Sequence, residues 1–595
     1  MHLAGIDWAI MVAYFGVTVA IGTFLSRSSG RDFSSFFLGG RRMPWWLLGI
    51  SMVATTFATD TPNLVTDIVR STGAYGNWTW WAFLLTGMLT VFVYAKLWRR
   101  SEVLTDIEFY EIRYSGRAAA FLRAFRAIYL GVFFNVIIMA NVTLAAIKIG
   151  AVLMGLEPWH TVVVAATVTM IYSTLGGLTG ILLTDLFQFV LAMAGSIGAA
   201  LFVVNLPQVG GLEGLLAAPE VAPHLNFWPP FDRLSWSELL PVFLIPIAVQ
   251  WWAAYYPGAE PGGGGFAAQR MLAAKNERHA LGATFLFNIA HYALRPWPWI
   301  LVALASIAVF PSLDAIHEQF PHLPEHIVRN DLAYPAMLTL LPAGLLGLVV
   351  ASLAAAYMST ISTQVNWGAS IIVNDVYRRF LRKDASERRL VWAGRASTVA
   401  LMLIGCGLAL ILESALQGFE ILLQIGAGTG LLLLLRWFWW RINAYSEIAA
   451  MLASFTVAVY FQFMGGETLE SWQRLVIGVI ITTICWLAAT FLAPPTDDHV
   501  LRAFYNRIRP GGPGWRPVLD RARREGDLLD SGGGSDLPVG LLCAALGATG
   551  IYSLLFATGF FIYGREIGGL GFSALAAVAF LSIIRLWPKL HFLRP

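Results

Sequence analysis

The chain has 595 residues, of which 57% are apolar and 13% charged, and its mean hydropathy is +0.65. A soluble domain carries about 25% charged residues, and a disordered chain is charge-rich and aromatic-poor, so this composition excludes both and places the protein in a bilayer. The net charge of +4 is too weak for a nucleic-acid footprint, and Cys406, Cys485 and Cys543 lie in apolar stretches without paired or metal-ligating spacing.

A spanning helix needs about 20 mostly apolar residues. In chain order, about fifteen segments qualify on that criterion: 5–25, 45–69, 78–98, 127–154, 161–176, 178–205, 237–257, 281–310, 343–377, 391–413, 417–436, 445–465, 472–493, 539–562 and 568–587. The first has no basic flank before it and no small-residue cleavage site after it, so it is expected to be retained rather than removed as a signal peptide. Arg27, Arg31, Arg41 and Arg42 follow the first span, Arg99, Arg100, Arg113, Arg117 and Arg123 the third, and Arg378, Arg379, Arg382, Lys383, Arg388 and Arg389 the ninth. The alternate loops 206–236 and 311–333 hold only Arg233 and Arg329. The basic loops are therefore expected to be cytoplasmic, with the N-terminus outside and the C-terminus, beside Arg585, Lys589 and Arg594, inside the cell membrane. The 494–537 segment is rich in Pro, Gly and Arg, and Val500, Leu501, Phe504, Tyr505 and Ile508 recur at helical spacing. A short helix on the inner membrane face and a plain tether are both compatible with it.

Polar groups are costly in hydrocarbon, so those inside spans mark where function is sought. The second span reads SMVATTFATDTPNLVTDIV and places Thr55, Thr56, Thr59, Asp60, Thr61, Pro62 and Asn63 at mid-depth. This predicts a broken helix whose exposed carbonyls suit a hard cation such as Na⁺, the alternative being a kink with satisfied hydroxyls. The seventh span, with Pro241, Pro246 and Pro257 followed by a glycine run, is interrupted in the same way. Residues 45–205 and 237–436 each hold five spans beginning with a broken one, and an odd number gives the second copy opposite orientation, the pattern of an inverted repeat. In the ninth span Ala356, Ser359, Thr360 and Thr363 form one helical stripe, flanked by Ser362, which reads either as an ion site or as close packing. Asp185 sits near the start of the sixth span, where it lines a site or is solvated. His291 and Arg295 in the eighth line a cavity, pair with an acid or snorkel.

Several motifs now resemble one family. FFLGGRRMPWWLLGISMVAT (36–55), YSTLGGLTGILLTDLFQ (172–188), QRMLAAKN (269–276), and AAAYMSTIST (354–363) followed by NDVY (374–377) are similar, in order and spacing, to the core of the solute:sodium symporters. The resemblance covers about residues 5–465 and implies an all-α polytopic membrane protein. Its LeuT-type 5+5 inverted-repeat core would carry one extra N-terminal and several C-terminal helices. The implied organisation is an extra helix and inner loop at 1–44, a first repeat at 45–205, an outer loop at 206–236 and a second repeat at 237–436. Two peripheral helices at 437–493, a cytoplasmic linker at 494–537 and a helix pair at 538–595 follow. By motif match a sodium ion would take the carbonyls of Ala54, Phe57 and Ala356 and the hydroxyls of Ser359 and Thr360. Asp185, Ser362 and Thr363 match a second sodium position found in some members.

The resemblance implies Na⁺-coupled import of a small polar solute by alternating access, with Na⁺ as coupling ion, no organic cofactor and no enzymatic activity. The solute is expected beside the break, near Asp60, Thr61, Trp252, Tyr255, Tyr256, Glu420 and Gln424. A sugar suits hydroxyl, amide, carboxylate and aromatic groups best, since its hydroxyls hydrogen-bond and its apolar face stacks. An amino acid or carboxylate is the alternative, with Arg295 as its counter-ion if that side chain faces inward. The chain departs from the sugar transporters at Ala253, where they carry an asparagine, and a glycine-rich insertion at 258–265 blurs the register there. A sensor and a channel are the rivals of a different class: a sensor lacks its catalytic domain here, and discontinuous helices in an inverted repeat suit alternating access better than a fixed pore.

Overall fold

A computed structural model of the chain describes residues 3–29, 32–255, 258–321, 328–411, 426–461, 469–527, 529 and 536–593, and no β-strand is formed among them. The longer helices are α1 (Gly5–Ser29), α2 (Trp45–Thr56), α3 (Thr61–Ser71), α4 (Ala74–Ser101), α5 (Gly116–Met154), α6 (Pro158–Val204), α7 (236–253), α8 (Gly265–Ala273) and α9 (Glu277–Val309). They continue as α10 (Leu345–Leu381), α11 (Glu387–Ala409), α12 (Gly430–Leu435), α13 (Ala444–Tyr460), α14 (Ser471–Leu492), α15 (Asp498–Ile508), α16 (Arg516–Arg524), α17 (Leu537–Ile562) and α18 (Glu566–Lys589). By length and composition ten of these helices can cross a membrane. The second and seventh predicted spans are shorter pieces, because proline and polar residues interrupt them.

α6 folds back on itself. Gly177, at φ 55° and ψ −162°, leaves the helical region in a conformation that side-chain-bearing residues avoid. The Tyr172 hydroxyl donates to the Met358 carbonyl at 2.8 Å, while Asp185 accepts from Ser359 at 2.7 Å. A straight helix would separate Tyr172 from Asp185 by about 20 Å, yet both meet the same turn of α10, so the two arms run antiparallel about Gly177. The second arm lies along α10 through small residues: a Cβ on Gly195 would stand 2.6 Å from Ser352 Oγ, and one on Gly198 2.9 Å from Leu345. Asp7 of α1 caps the start of α10, accepting from the backbone N–H groups of Gly344 at 2.7 Å and Gly347 at 2.8 Å.

The end of the bundle that carries the basic loops is closed by buried charge pairs. Glu447 accepts from Tyr114 (2.9 Å), Arg126 (3.2 Å) and Arg436 (3.4 Å), and Asp375 from Arg123 (2.7 Å) and Thr105 (2.5 Å). The linker docks there. α15, α16 and the turn between them pack Leu501, Phe504, Tyr505, Ile508, Trp515 and Val518 into the core, with Trp515 Nε1 donating to the Trp437 carbonyl at 2.9 Å. The helical spacing read at 500–508 is real, and its apolar face meets protein, not lipid. α17 lies on α4, where Gly547 approaches Met88 and Phe92 and Tyr552 donates to the Trp81 carbonyl at 2.9 Å, so the last helix pair buttresses the first repeat.

Removing one partner of a buried network strands the other charges, at a cost of about 3–5 kcal/mol. Glu447→Ala is expected to lower the unfolding temperature of the purified protein, because Arg126 and Arg436 lose their counter-ion. A thermal melt unchanged from wild type would contradict this.

Candidate functional site

α2 stops at Thr56 because Phe57 turns out of the helix (φ −88°, ψ 74°), and α3 restarts at Thr61 with Pro62 in its first turn, where a missing N–H costs nothing. Helix ends leave carbonyls without partners. Here other elements supply them: Thr360 Oγ1 of α10 donates to the Thr55 carbonyl at 2.8 Å and to its own Ala356 carbonyl at 3.1 Å, and Arg295 of α9 donates to the Thr56 carbonyl. A cation at a helix C-terminus also answers the helix dipole. Arg295 is held by Thr56 Oγ1 at 3.0 Å, by His291 Nε2 at 3.3 Å and by the face of Trp299 at 5.1 Å. The sequence left three placements open for His291 and Arg295; both line the cavity beside the break.

Below the break, toward the basic end, lies a second cluster. Asp185 accepts from Ser51 Oγ at 2.5 Å and Ser359 Oγ at 2.7 Å, and Arg270 Nη2 lies 3.9 Å from its carboxylate, both side chains 0% exposed. Arg270 also donates to Thr363 Oγ1 at 2.7 Å and to Gln269 Oε1 at 2.7 Å. Thr55 and Thr363 share a 3.0 Å hydrogen bond, and Ser362 Oγ donates to the Ser359 carbonyl at 3.0 Å. These bonds fasten α2, α6, α8 and α10 together. Residues 265–273 form α8, and Arg270 is the buried cation under Asp185.

Above the break is a cavity of about 160 Å³. Its walls include Asp60, Thr61, Asn141, His291, Arg295 and Gln364. Three buried acceptors on these walls, Asp60 Oδ1, Asn141 Oδ1 and Gln364 Oε1, have no hydrogen-bond partner among the described residues. A buried polar group left this way is costly, so the cavity is built for a ligand rich in donors. Of the residues expected at the solute, Asp60 and Thr61 line this cavity. Trp252 does not: it donates to the Ala248 carbonyl at 2.8 Å and packs near Ala253, Ala427 and Val479. Tyr255 lines a separate small cavity with Glu260, and its N–H donates to the Gly426 carbonyl at 3.3 Å. Tyr256, Glu420 and Gln424 lie outside the described residues. Sequence reading missed Asn141 and Gln364, although an amide within a membrane span was signal enough.

Arg270→Gln leaves Asp185 as a buried acid without a counter-ion, so a loss of about 3–5 kcal/mol is expected in thermal or denaturant unfolding. Adding Asp185→Asn should recover part of it, and strictly additive losses in the double variant would contradict a direct pair.

The model of the sodium:solute symporter family matches residues 36–454. The sodium/glucose cotransporter of Vibrio parahaemolyticus is 25% identical over 490 residues, covering 78% of this chain and 86% of its own. The sodium/myo-inositol cotransporter 2 of Oryctolagus cuniculus is 28% identical over 474 residues, covering 73% and 67%. A solved structure of a Na⁺-coupled sialic acid symporter, in a substrate-bound outward-open state, superposes with a TM-score of 0.68 at 20% identity, over 83% of this chain and 99% of that one. With a broken α2 facing a hydroxyl-lined α10 and a family match across both repeats, this chain belongs to the sodium:solute symporter family.

Proposed function

We propose that this symporter imports a sugar or cyclic polyol with sodium, by alternating access across the cell membrane, with its basic loops and C-terminus cytoplasmic and its N-terminus outside. The observation that carries the substrate class is the convergence of Asp60 Oδ1, Asn141 Oδ1 and Gln364 Oε1, unpartnered, on one cavity. Three acceptors suit a ring bearing several hydroxyl donors, and Trp80 and Phe83 in the same wall offer apolar faces to the ring carbons. The relatives named for glucose, myo-inositol and mannose support the same class.

Sodium is assigned to the seam between α2 and α10, with the carbonyls of Ala54, Phe57 and Ala356 and the hydroxyls of Ser359 and Thr360. Oxygen-only ligands suit a hard cation, and Thr360 Oγ1 already bridges the Thr55 and Ala356 carbonyls across this seam. Sodium there pins α2 to α10 and favours the cavity's open form, so ion and solute bind better together than apart. A second sodium at Asp185, Ser362 and Thr363 would require Arg270 to give up the Thr363 hydroxyl that it holds at 2.7 Å. The membrane potential then contributes about 2.3 kcal/mol per charge per 100 mV to uptake.

One observation favours a second reading, a sugar acid or other carboxylate: Arg295 lines the cavity. Proteoliposomes with an inward sodium gradient and labelled glucose, mannose, myo-inositol, a hexuronic acid and an amino acid separate the two. Uptake of a neutral polyol in Na⁺ and not K⁺, with KM raised about tenfold or more in Asp60→Ala and a weakened sodium dependence in Thr360→Val, is the expected result. Uptake confined to the acid and abolished in Arg295→Gln supports the second reading, and equal uptake in Na⁺ and K⁺ overturns sodium coupling.

A further inference from the structure

The glycine-rich stretch between α7 and α8 holds a buried acid that the symport mechanism leaves unused. Gly262, Gly263 and Gly265 adopt φ of 76°, 78° and 55°, and Trp98 Nε1 fixes the turn by donating to the Gly262 carbonyl at 2.9 Å. A Cβ on Gly265 would stand 2.6 Å from Glu260 Oε1, so the glycines form a seat that only their lack of a side chain leaves open. Glu260 is 3% exposed and its Oε2 has no hydrogen-bond partner among the described residues. It faces a cavity of about 10 Å³, shared with Tyr255, Gln364 and Trp367, which is space for about one water. Gln364 Oε1 is a second unpartnered acceptor on that wall.

Among the described residues, no charged neighbour supplies Glu260 with a cation. Asp106, from the turn after α4, is itself an acid and is satisfied by Trp367 Nε1 at 3.1 Å and the Gly265 N–H at 3.0 Å. Tyr255 and Tyr110 are phenols. The arginines of this region, Arg126 and Arg436, are bound to Glu447 at 3.2 and 3.4 Å and lie over Tyr110. An ionised carboxylate in such a place carries a large desolvation cost, which the Tyr255 hydroxyl and the backbone N–H groups of Gly258 and Glu260 offset only in part. Two acceptors facing one small void need a hydrogen between them, and a void of this size has no room for a sodium ion with a set of oxygen ligands like that at the α2–α10 seam.

We propose that Glu260 is a proton-binding site, carrying a proton that faces Gln364 and crosses the membrane with the solute and sodium. Gln364 and Phe266 line both this void and the solute cavity, so the proton enters from the solute's side. The glycine break lets α7 and α8 move relative to each other, and opening at the basic end wets Glu260 and releases the proton there. A carboxyl held protonated in one state and released in the other makes uptake fall as the pH on the solute's side rises through its titration.

The co-transport step rests on the symport reading, while the protonation itself does not. Infrared difference spectra of purified protein, wild type minus Glu260→Gln, are therefore recorded at neutral pH. The expected result is a protonated carboxylic acid band lost in the variant, and its absence overturns the proposal whatever the protein transports. In proteoliposomes loaded with a pH dye, sodium-driven solute uptake should acidify the lumen, and Glu260→Gln should keep solute uptake while losing acidification and flattening the pH profile. Solute uptake without acidification in wild type, or acidification retained in the variant, also overturns it. Absence of any sodium-driven uptake in wild type counts against the symport reading, and the infrared band then decides for Glu260 alone.

Discussion

In hydrocarbon a backbone carbonyl must find a donor, and the helix that ends at Thr56 releases carbonyls at the middle of the bundle. What surrounds the break answers that need. Thr360 reaches across from α10 to the Thr55 carbonyl, and Arg295 reaches from α9 to that of Thr56. Both partners come from outside the first repeat, so the two halves of the chain meet through the defect itself. Such a contact is reversible: a hydroxyl that holds a carbonyl can share it with a cation or give it up, whereas a continuous helix has nothing to exchange.

The level beneath is built differently. Asp185 and Arg270 are fully buried, joined through Ser51, Ser359 and Thr363, and tie four helices near the basic end. Ser359 belongs to both levels, bonded to Asp185 here and assigned to sodium one turn up. With sodium bound as proposed, exchange of its hydroxyl between the two would link the ion site to the closed end. Further toward that end, Arg100 joins Glu277 at 3.0 Å and the His591 carbonyl at 2.7 Å, so the C-terminal tail is stitched to the foot of α4 and α9.

Much of this was legible in the sequence because the cost of polar groups in lipid makes each one informative. The Thr-Asp-Pro run marked the break, the Ala-Ser-Thr-Thr spacing marked the facing stripe, and the division between 176 and 178 falls at the Gly177 reversal. Less legible was what depends on partners distant in the chain. Spacing at 500–508 shows an amphipathic helix but not that Trp437 and Arg113 cover its Phe504. Arg270 sat in a recognised motif, and only the packing of α8 under α2 shows it buried. Asn141 and Gln364 were overlooked although each is an amide within a span, and Gln364 directly follows the Ser359–Thr363 stripe already singled out. Trp252 was placed at the solute because it adjoins a break, yet a helix terminus can turn its ring either way.

The central claim is that sodium and solute bind to one another's advantage across the α2–α10 seam. Its most direct test is solute affinity of the purified protein by calorimetry at saturating Na⁺ and in its absence, with the reciprocal measurement of sodium affinity at saturating solute. The account predicts that each ligand tightens the other by the same factor, about 5–150-fold, as linkage demands, and that Thr360→Val collapses that factor toward one. Equal solute affinity with and without sodium, in protein that still binds the solute, would contradict it.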